Sequence, residues 1–330
     1  MPVNRATPEG TARYRDRFAG RDFGNQQGLT LSSIGIGTYL GNADSATDVS
    51  YTNAVVRAVE LGCNVIDTAA NYRFQRSERS IGAALKTLGD RGFAREELVV
   101  CTKGGYLPFD GTPPRNVREY VNETFVKPGI ASFEDIVGGS HCMAPAYLQS
   151  QLDQSLRNMG LECVDVYYIH NPESQLGDVS TQEFYSRLRL AFERLEQNRG
   201  EGKLAFYGVA TWNGFRTSAD SSDHHSLVRM VELAREIGGA EHGFRFIQLP
   251  FNLAMPEAVT KVNETLDGEW ITVVEAANRL GVTVVASASL LQGRIDPRAA
   301  IQLARSTEGI TTALIGMSSI EHVEENLATD

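Results

Sequence analysis

What most constrains this chain is its rhythm. From about residue 30 onward, short apolar runs of strand length alternate with longer segments whose apolar residues recur at helical spacing. The run at 31–38 ends in Gly35-Ile36-Gly37. Residues 48–61 then carry Val55, Ala58 and Val59 on one helical face, and Gly62 stops them. Strand-like segments follow at 64–68, 97–103, 164–169, 204–209, 246–249, 282–286 and 311–315. Helical patterns separate them at 77–88, 145–159, 181–198, 227–237, 270–280 and 297–306, and a last helix is expected at 320–327. Strands each followed by a helix, in this number, predict a closed parallel (β/α)8 barrel, the TIM-barrel architecture. A doubly wound open sheet also alternates, but normally carries a Gly-rich fingerprint after its first strand. Gly35-Ile36-Gly37 lacks the third glycine and the acidic residue at the expected distance, so the barrel is preferred. The chain divides on this reading into a polar N-terminal arm, residues 1–27, and one barrel domain, residues 28–330.

One unit breaks the rhythm. Residues 104–144 show no clear periodicity and contain Pro108, Pro113, Pro114 and Pro128. Loops that long in compact domains are lids, binding loops or disordered segments. This one follows the third strand, so it leaves the catalytic face of a barrel. Its aromatics, Tyr106, Phe109, Tyr120, Phe125 and Phe133, predict a packed lid rather than a solvated insertion.

Composition excludes some partners. There are 31 Lys and Arg against 41 Asp and Glu, a net charge of −10, which argues against a nucleic-acid partner, since that needs clustered cations. An anionic cofactor is still compatible, because a local pocket can oppose the global sign. No apolar stretch is long enough to span a bilayer, and residues 1–27 lack the apolar core of a signal peptide. Cys63, Cys101, Cys142 and Cys163 lie far apart with no CxxC pair, the pattern of buried thiols in a reducing compartment. A cytoplasmic protein without membrane or nucleic-acid partners is expected.

Four polar residues fall at or just beyond the ends of successive strands. Asp67 ends the second, with Tyr72 five residues on in the same loop; Lys103 ends the third and His170 the fourth. Taken singly, each has an ordinary role as a cap, a surface group, an ion-pair partner or a satisfied polar residue. Placed together at the carboxyl ends of barrel strands, they should converge on one pocket. The set suits carbonyl reduction, in which hydride delivery leaves negative charge on an oxygen that needs stabilisation and a proton. A tyrosine can give that proton, and a neighbouring ammonium such as Lys103 lowers its pKa from the usual value of about 10. Asp67 would hold Lys103 charged, and His170 would orient the substrate oxygen. His141-Cys142 has no second ligand pair at suitable spacing, so no metal site is expected. His224-His225 follows Ser-Ser-Asp and reads as a solvated helix start.

At this point the sequence resembles a known family. Asp67-Thr68-Ala69-Ala70-Asn71-Tyr72 followed by Ser77-Glu78, Val100-Cys101-Thr102-Lys103-Gly104-Gly105, and Asp165-Val166-Tyr167-Tyr168-Ile169-His170-Asn171-Pro172 are similar, in order, to the signatures of the aldo-keto reductase superfamily. Gln248-Leu249-Pro250-Phe251-Asn252 resembles its sixth-strand cofactor motif, and Glu321-His322-Val323-Glu324-Glu325-Asn326 its last-helix motif. The resemblance spans roughly residues 28–328. It implies Asp67, Tyr72, Lys103 and His170 as a catalytic tetrad with Tyr72 as general acid/base. It also implies Gln248 at the nicotinamide carboxamide, Glu325 and Asn326 near the adenine, and NADP(H) as cofactor, with NAD(H) the alternative.

The departures from the family pattern bear on that cofactor. Arg73 replaces the usual glycine after Tyr72, and residues 73–76 contain none; the segment reads either as a positive wall beside the pocket or as a solvated turn. Gly208-Val209-Ala210-Thr211-Trp212 stands where the resemblance implies Gly-Val-Ser-Asn, so Thr211 is expected to replace the Ser-Asn grip. Ser287 occupies the place of a stacking tyrosine, which leaves Trp212 as a candidate aromatic. Gly316 and Ser318 fall at cofactor-contacting positions, but the stretch lacks the usual basic residue, and His322 replaces the Arg that forks a 2′-phosphate. Little chain follows the last helix, so substrate selection is expected to fall to the long third loop and residues 173–181. The expected activity is interconversion of an aldehyde, ketone or sugar with its alcohol. The alternative is a cofactor-binding regulatory subunit with little or no turnover, like the β subunits of potassium channels.

Overall fold

The computed structural model describes residues 4–291 and 293–327. The chain opens with α1 (Pro8–Asp16), capped by Thr7, whose side chain accepts from the Gly10 N–H, and with a hairpin of β1 (Phe23–Gln26) and β2 (Leu29–Ser32). The alternating part runs β3 (Ile34–Gly37), α2 (Ser45–Glu60), β4 (Val65–Asp67), α3 (Arg76–Asp90), β5 (Val99–Gly104), α4 (Val117–Val121), α5 (Pro145–Met159), β6 (Val164–His170) and α6 (Thr181–Gly200). It continues through β7 (Leu204–Ala210), α7 (Leu227–Gly238), β8 (Phe244–Pro250), α8 (Glu257–Thr260), a hairpin of β9 (Val262–Leu266) and β10 (Glu269–Thr272), and α9 (Val273–Leu280). It ends with β11 (Thr283–Ser287), α10 (Pro297–Ser306), β12 (Ile310–Gly316) and α11 (Ile320–Leu327). Strands β3 to β8, β11 and β12 close into one parallel barrel. The predicted (β/α)8 architecture is therefore the observed one.

Strand residues divide by a period of two. Val65, Val99, Cys101, Val166, Tyr168, Phe246 and Val285 fill the barrel interior. Their neighbours Ile66, Val100, Tyr167, Ile169 and Ile247 point outward into the larger core shared with the helices. Both faces are buried, which is why these strands read as continuous apolar runs.

The N-terminal stretch packs onto the barrel. The hairpin straddles position 27/28, with Gln26 paired to Leu29, and it sends Ala6, Leu29 and Leu31 into the interior cluster. Asn64, just before β4, accepts from the Ser32 N–H at 2.8 Å and donates to the Thr30 carbonyl at 2.9 Å. Tyr14 is fully buried, its hydroxyl donating to the Val59 carbonyl. This stretch closes the N-terminal end of the barrel and leaves the other end open. Its polar composition concealed how few apolar side chains a plug needs.

Two further expectations change. The helical pattern at 270–280 begins only at Val273; residues 269–272 pair with β9 as a strand. His225 is not solvated: it is buried, stacked on Phe184 at 5.9 Å and edge-on to Phe215 at 4.7 Å. Burial drives its pKa down to about 3, so the ring is neutral. Among the described residues, no helix is long and apolar enough to cross a membrane.

Candidate active site

The carboxyl ends of the strands surround a cavity of about 980 Å³. Its floor is built from β4 and β5. Lys103 is fully buried; its ammonium forms an ion pair with Asp67 and donates to the Thr68 carbonyl at 2.8 Å. The other Asp67 oxygen accepts from Gln248 Nε2 at 2.9 Å, so both carboxylate oxygens are satisfied. Burial is the largest single effect on Lys103 and lowers its pKa, but the Asp67 charge and hydrogen bond, with Tyr72 and Cys101, together outweigh it and the net direction is upward. Burial pushes the Asp67 carboxyl up and Lys103 pulls it back. Lys103 is thus held protonated, and its charge favours the ionised form of Asp67.

Tyr72 lies above this pair, its ring centroid 5.1 Å from Lys103 Nζ. Tyr39 packs edge-on to it at 5.0 Å and His170 at 5.7 Å. The expected lowering of the phenol pKa by Lys103 is present, but burial is the larger effect and the net shift is upward. The free site therefore holds Tyr72 as a neutral phenol, a proton donor.

His170 ends β6, and burial, reinforced by Lys103 and His141, pushes its pKa well below 6.5. The neutral ring packs edge-on to Tyr106 at 5.2 Å. Behind it, His141 Nε2 donates to the His170 carbonyl at 2.7 Å, while His141 Nδ1 accepts from Gln175 Nε2 at 2.9 Å. That second bond fixes the tautomer. Burial lowers the His141 pKa to about 4, in keeping with a neutral ring. Gly105, at φ +133°, leaves the space: a β-carbon there would stand 2.8 Å from His141 Nε2.

Glu173 orients the loop after β7. Its buried carboxylate oxygen accepts the backbone N–H groups of Trp212 at 2.6 Å, Asn213 at 2.9 Å and Gly214 at 3.4 Å. Burial raises its pKa, and these three donors oppose the rise. Glu173→Ala is expected to cost about 1–3 kcal/mol, since it leaves buried donors unsatisfied. Thermal melting measures that loss, and an unchanged melting temperature would remove Glu173 from this role.

Of the residues expected from sequence, Asp67, Tyr72, His170, Thr211, Gln248, Ser287, Gly316, Ser318, Glu325 and Asn326 all line the cavity. Lys103 lies beneath it. Trp212 stands at the rim, 45% exposed. Arg73 is neither a wall of the pocket nor solvated: its guanidinium is buried against Asp48 and the Asn42 carbonyl. Of residues 104–144 only Tyr106 lines the cavity. The rest pack as a side structure around Leu107, Val121 and Phe125, with a π-helical turn over Asn122–Val126, so the segment is packed as predicted but is not a lid. Residues 173–181 do not line the cavity either; Glu173 acts from behind. Sequence reasoning assigned none of Tyr39, Tyr106, Asn171 and Arg294 to the cavity, which they line. The first three follow strand ends by one or two residues, and the barrel's strand-end rule applied to every strand would have found them.

Barrel and cavity together define an α/β-barrel protein with its pocket at the carboxyl ends of the strands. Residues 33–299 match the model of the aldo/keto reductase family, and the chain belongs to that family. It is similar to L-glyceraldehyde 3-phosphate reductase of Escherichia coli, 28% identical over 70% of this chain and 52% of that protein. It is also similar to L-galactose dehydrogenase of Arabidopsis thaliana, 25% identical over 93% of this chain and 86% of the relative. The chain thus spans about half the length of the first relative and most of the second. Among solved structures, an aldo/keto reductase from Klebsiella pneumoniae in complex with NADP and acetate superposes with a TM-score of 0.59 at 17% identity, covering 92% of this chain and 88% of that one. At that identity the likeness speaks for the fold.

Proposed function

We propose that this chain is an NADP(H)-dependent oxidoreductase that interconverts a carbonyl and its alcohol, with Tyr72 as general acid/base. The observation that carries this reading is the buried Lys103–Asp67 pair directly beneath Tyr72, with neutral His170 packed beside it. The cavity fits a dinucleotide. Its volume is at the upper end for small-molecule sites, and the Thr211 and Ser289 hydroxyls on its wall are buried without a protein partner, as a polar ligand passing there would require. Arg294 and His322 also line it and supply cationic or donor groups for a phosphate-bearing end. The reductase and dehydrogenase relatives, and the neighbour solved with NADP, support the same choice.

When bound, the nicotinamide supplies hydride to the carbonyl carbon or takes it from the alcohol carbon. Tyr72 donates its phenolic proton to the oxygen as charge builds there, and takes it back in the oxidation. Lys103 stabilises the resulting phenolate through its fixed positive charge, and Asp67 keeps that charge in place. His170, neutral and open to the cavity, donates a hydrogen bond to the same oxygen and sets its direction.

The test is a titration of the protein with NADPH and, separately, NADH, read by tryptophan fluorescence. Trp212 stands at the cavity rim while Trp270 is exposed on β10 and away from the cavity. Quenching by NADPH that is tighter than by NADH, and that is lost in Trp212→Phe, is the expected result, followed by turnover of aldehydes, ketones or sugars. Binding of neither cofactor would overturn the reading.

A further inference from the structure

We propose that Arg73 is a positioning residue for Tyr72: its buried guanidinium clamps a strained turn behind the phenol to the loop after β3. The inference rests on the role given to Tyr72 above. Arg73, Phe74 and Gln75 all adopt left-handed backbone, with φ of 49°, 57° and 69°. Residues with a β-carbon avoid that region, and three in succession persist only where the surroundings force them.

The forcing groups are two backbone carbonyls and Asp48. Arg73 Nε donates to the Asn42 carbonyl at 2.8 Å and Nη2 to the Asp44 carbonyl at 3.3 Å, and the guanidinium pairs with Asp48. The second Asp48 oxygen pairs with Arg76, the first residue of α3, so one carboxylate grips both ends of the turn. The Arg73 side chain is only 2% exposed. A guanidinium does not deprotonate to escape burial, so withdrawing Asp48 leaves a buried charge with carbonyl partners alone. On the far side, the Phe74 carbonyl accepts from the Gly111 N–H at 2.9 Å. The loop held by Arg73 also carries Tyr39, which packs against Tyr72. The clamp therefore fixes the phenol from behind and from one flank without touching the cavity. Released, the turn relaxes toward right-handed backbone and carries Tyr72 off Lys103.

Asp48→Asn tests this, because Asp48 is 29% exposed and its replacement keeps shape. Turnover is expected to fall about tenfold or more, since displacing an acid–base group by about 1 Å forfeits much of its contribution. NADPH affinity should stay within about twofold, as no cofactor contact changes. The Tyr72 phenol, read in cofactor-free protein as the alkaline ultraviolet difference against Tyr72→Phe, should shift its titration, upward where the ring stays buried off Lys103 and downward where it gains solvent. Adding Phe74→Gly to Asp48→Asn should restore part of the turnover, because glycine enters left-handed backbone without strain at the middle of the three positions. Unchanged turnover and phenol titration in Asp48→Asn would overturn the proposal. So would a loss that glycine does not rescue and that falls equally on NADPH affinity and melting temperature, which marks a merely structural role. If the native chain turns over no carbonyl, the reading of Tyr72 fails, and the ultraviolet titration still decides whether the clamp holds the phenol near Lys103.

Discussion

Tyr72→Phe is expected to lower carbonyl reduction by about 10²- to 10⁴-fold, the usual contribution of a positioned general acid. Phenylalanine keeps the ring that packs against Tyr39 and His170 and lies 5.1 Å from the Lys103 ammonium. Only the hydroxyl is lost, so NADPH affinity and melting temperature should hold. The pH dependence gives a second signature. Burial raises the Tyr72 pKa above its usual range, against the pull of Lys103. The protonated phenol needed for reduction is then the majority form through neutral pH, and the rate falls only as pH climbs through that raised pKa. Oxidation needs the phenolate and so rises over the same alkaline limb. Steady-state rates in both directions, from neutral to alkaline pH, should show these opposite limbs in the native chain, and the inflection that Tyr72 sets should be absent from Tyr72→Phe. Turnover unchanged by the substitution would remove Tyr72 from the mechanism.

Much of this site was legible because strand ends are legible. Asp67, Lys103 and His170 each terminate an apolar run, and in a parallel barrel those termini share one mouth. What the sequence withheld depends on tertiary packing. Lys103 lies below the cavity rather than in its wall because its stem follows the strand into the interior. The direction of the Tyr72 shift depends on how completely the ring is covered, and burial there outweighs a neighbour that spacing alone made decisive. The turn at 73–75 contradicts local propensity at three residues, and only the surrounding carbonyls and Asp48 explain it. Residues 270–272 continue the amphipathic pattern of α9 in sequence, yet pairing with β9 claims them, because pattern does not report an available strand partner. The long segment after β5 contains enough aromatic residues to form its own small core, which takes it away from the mouth it was expected to cover.

Lys103→Met is expected to damage stability and catalysis together, with a pH dependence that separates the two. Methionine nearly conserves the volume of the buried stem, so the change is mainly the loss of charge. Asp67 keeps Gln248 but loses its counter-ion, and breaking a buried pair costs about 3–5 kcal/mol. Asp67 can limit the damage by taking a proton, since burial already pushes its carboxyl up and Lys103 no longer opposes it. A carboxyl whose folded pKa exceeds its unfolded value of about 3.9 favours folding below the unfolded value, and that benefit is lost as pH rises through the folded one. The variant should therefore melt near the native chain at about pH 4 and fall progressively behind it toward pH 8, by roughly 5–10 °C. Adding Asp67→Asn removes the stranded charge and should flatten that pH dependence. It does not return the ammonium that stabilises the Tyr72 phenolate, so turnover should remain low. Oxidation and reduction should suffer together, because one starts from that phenolate and the other ends in it. Melting curves of the two variants that run parallel to the native curve across this range would mean that Lys103 and Asp67 are not an ion pair in the folded chain, and the electrostatic account of Tyr72 would fall with it.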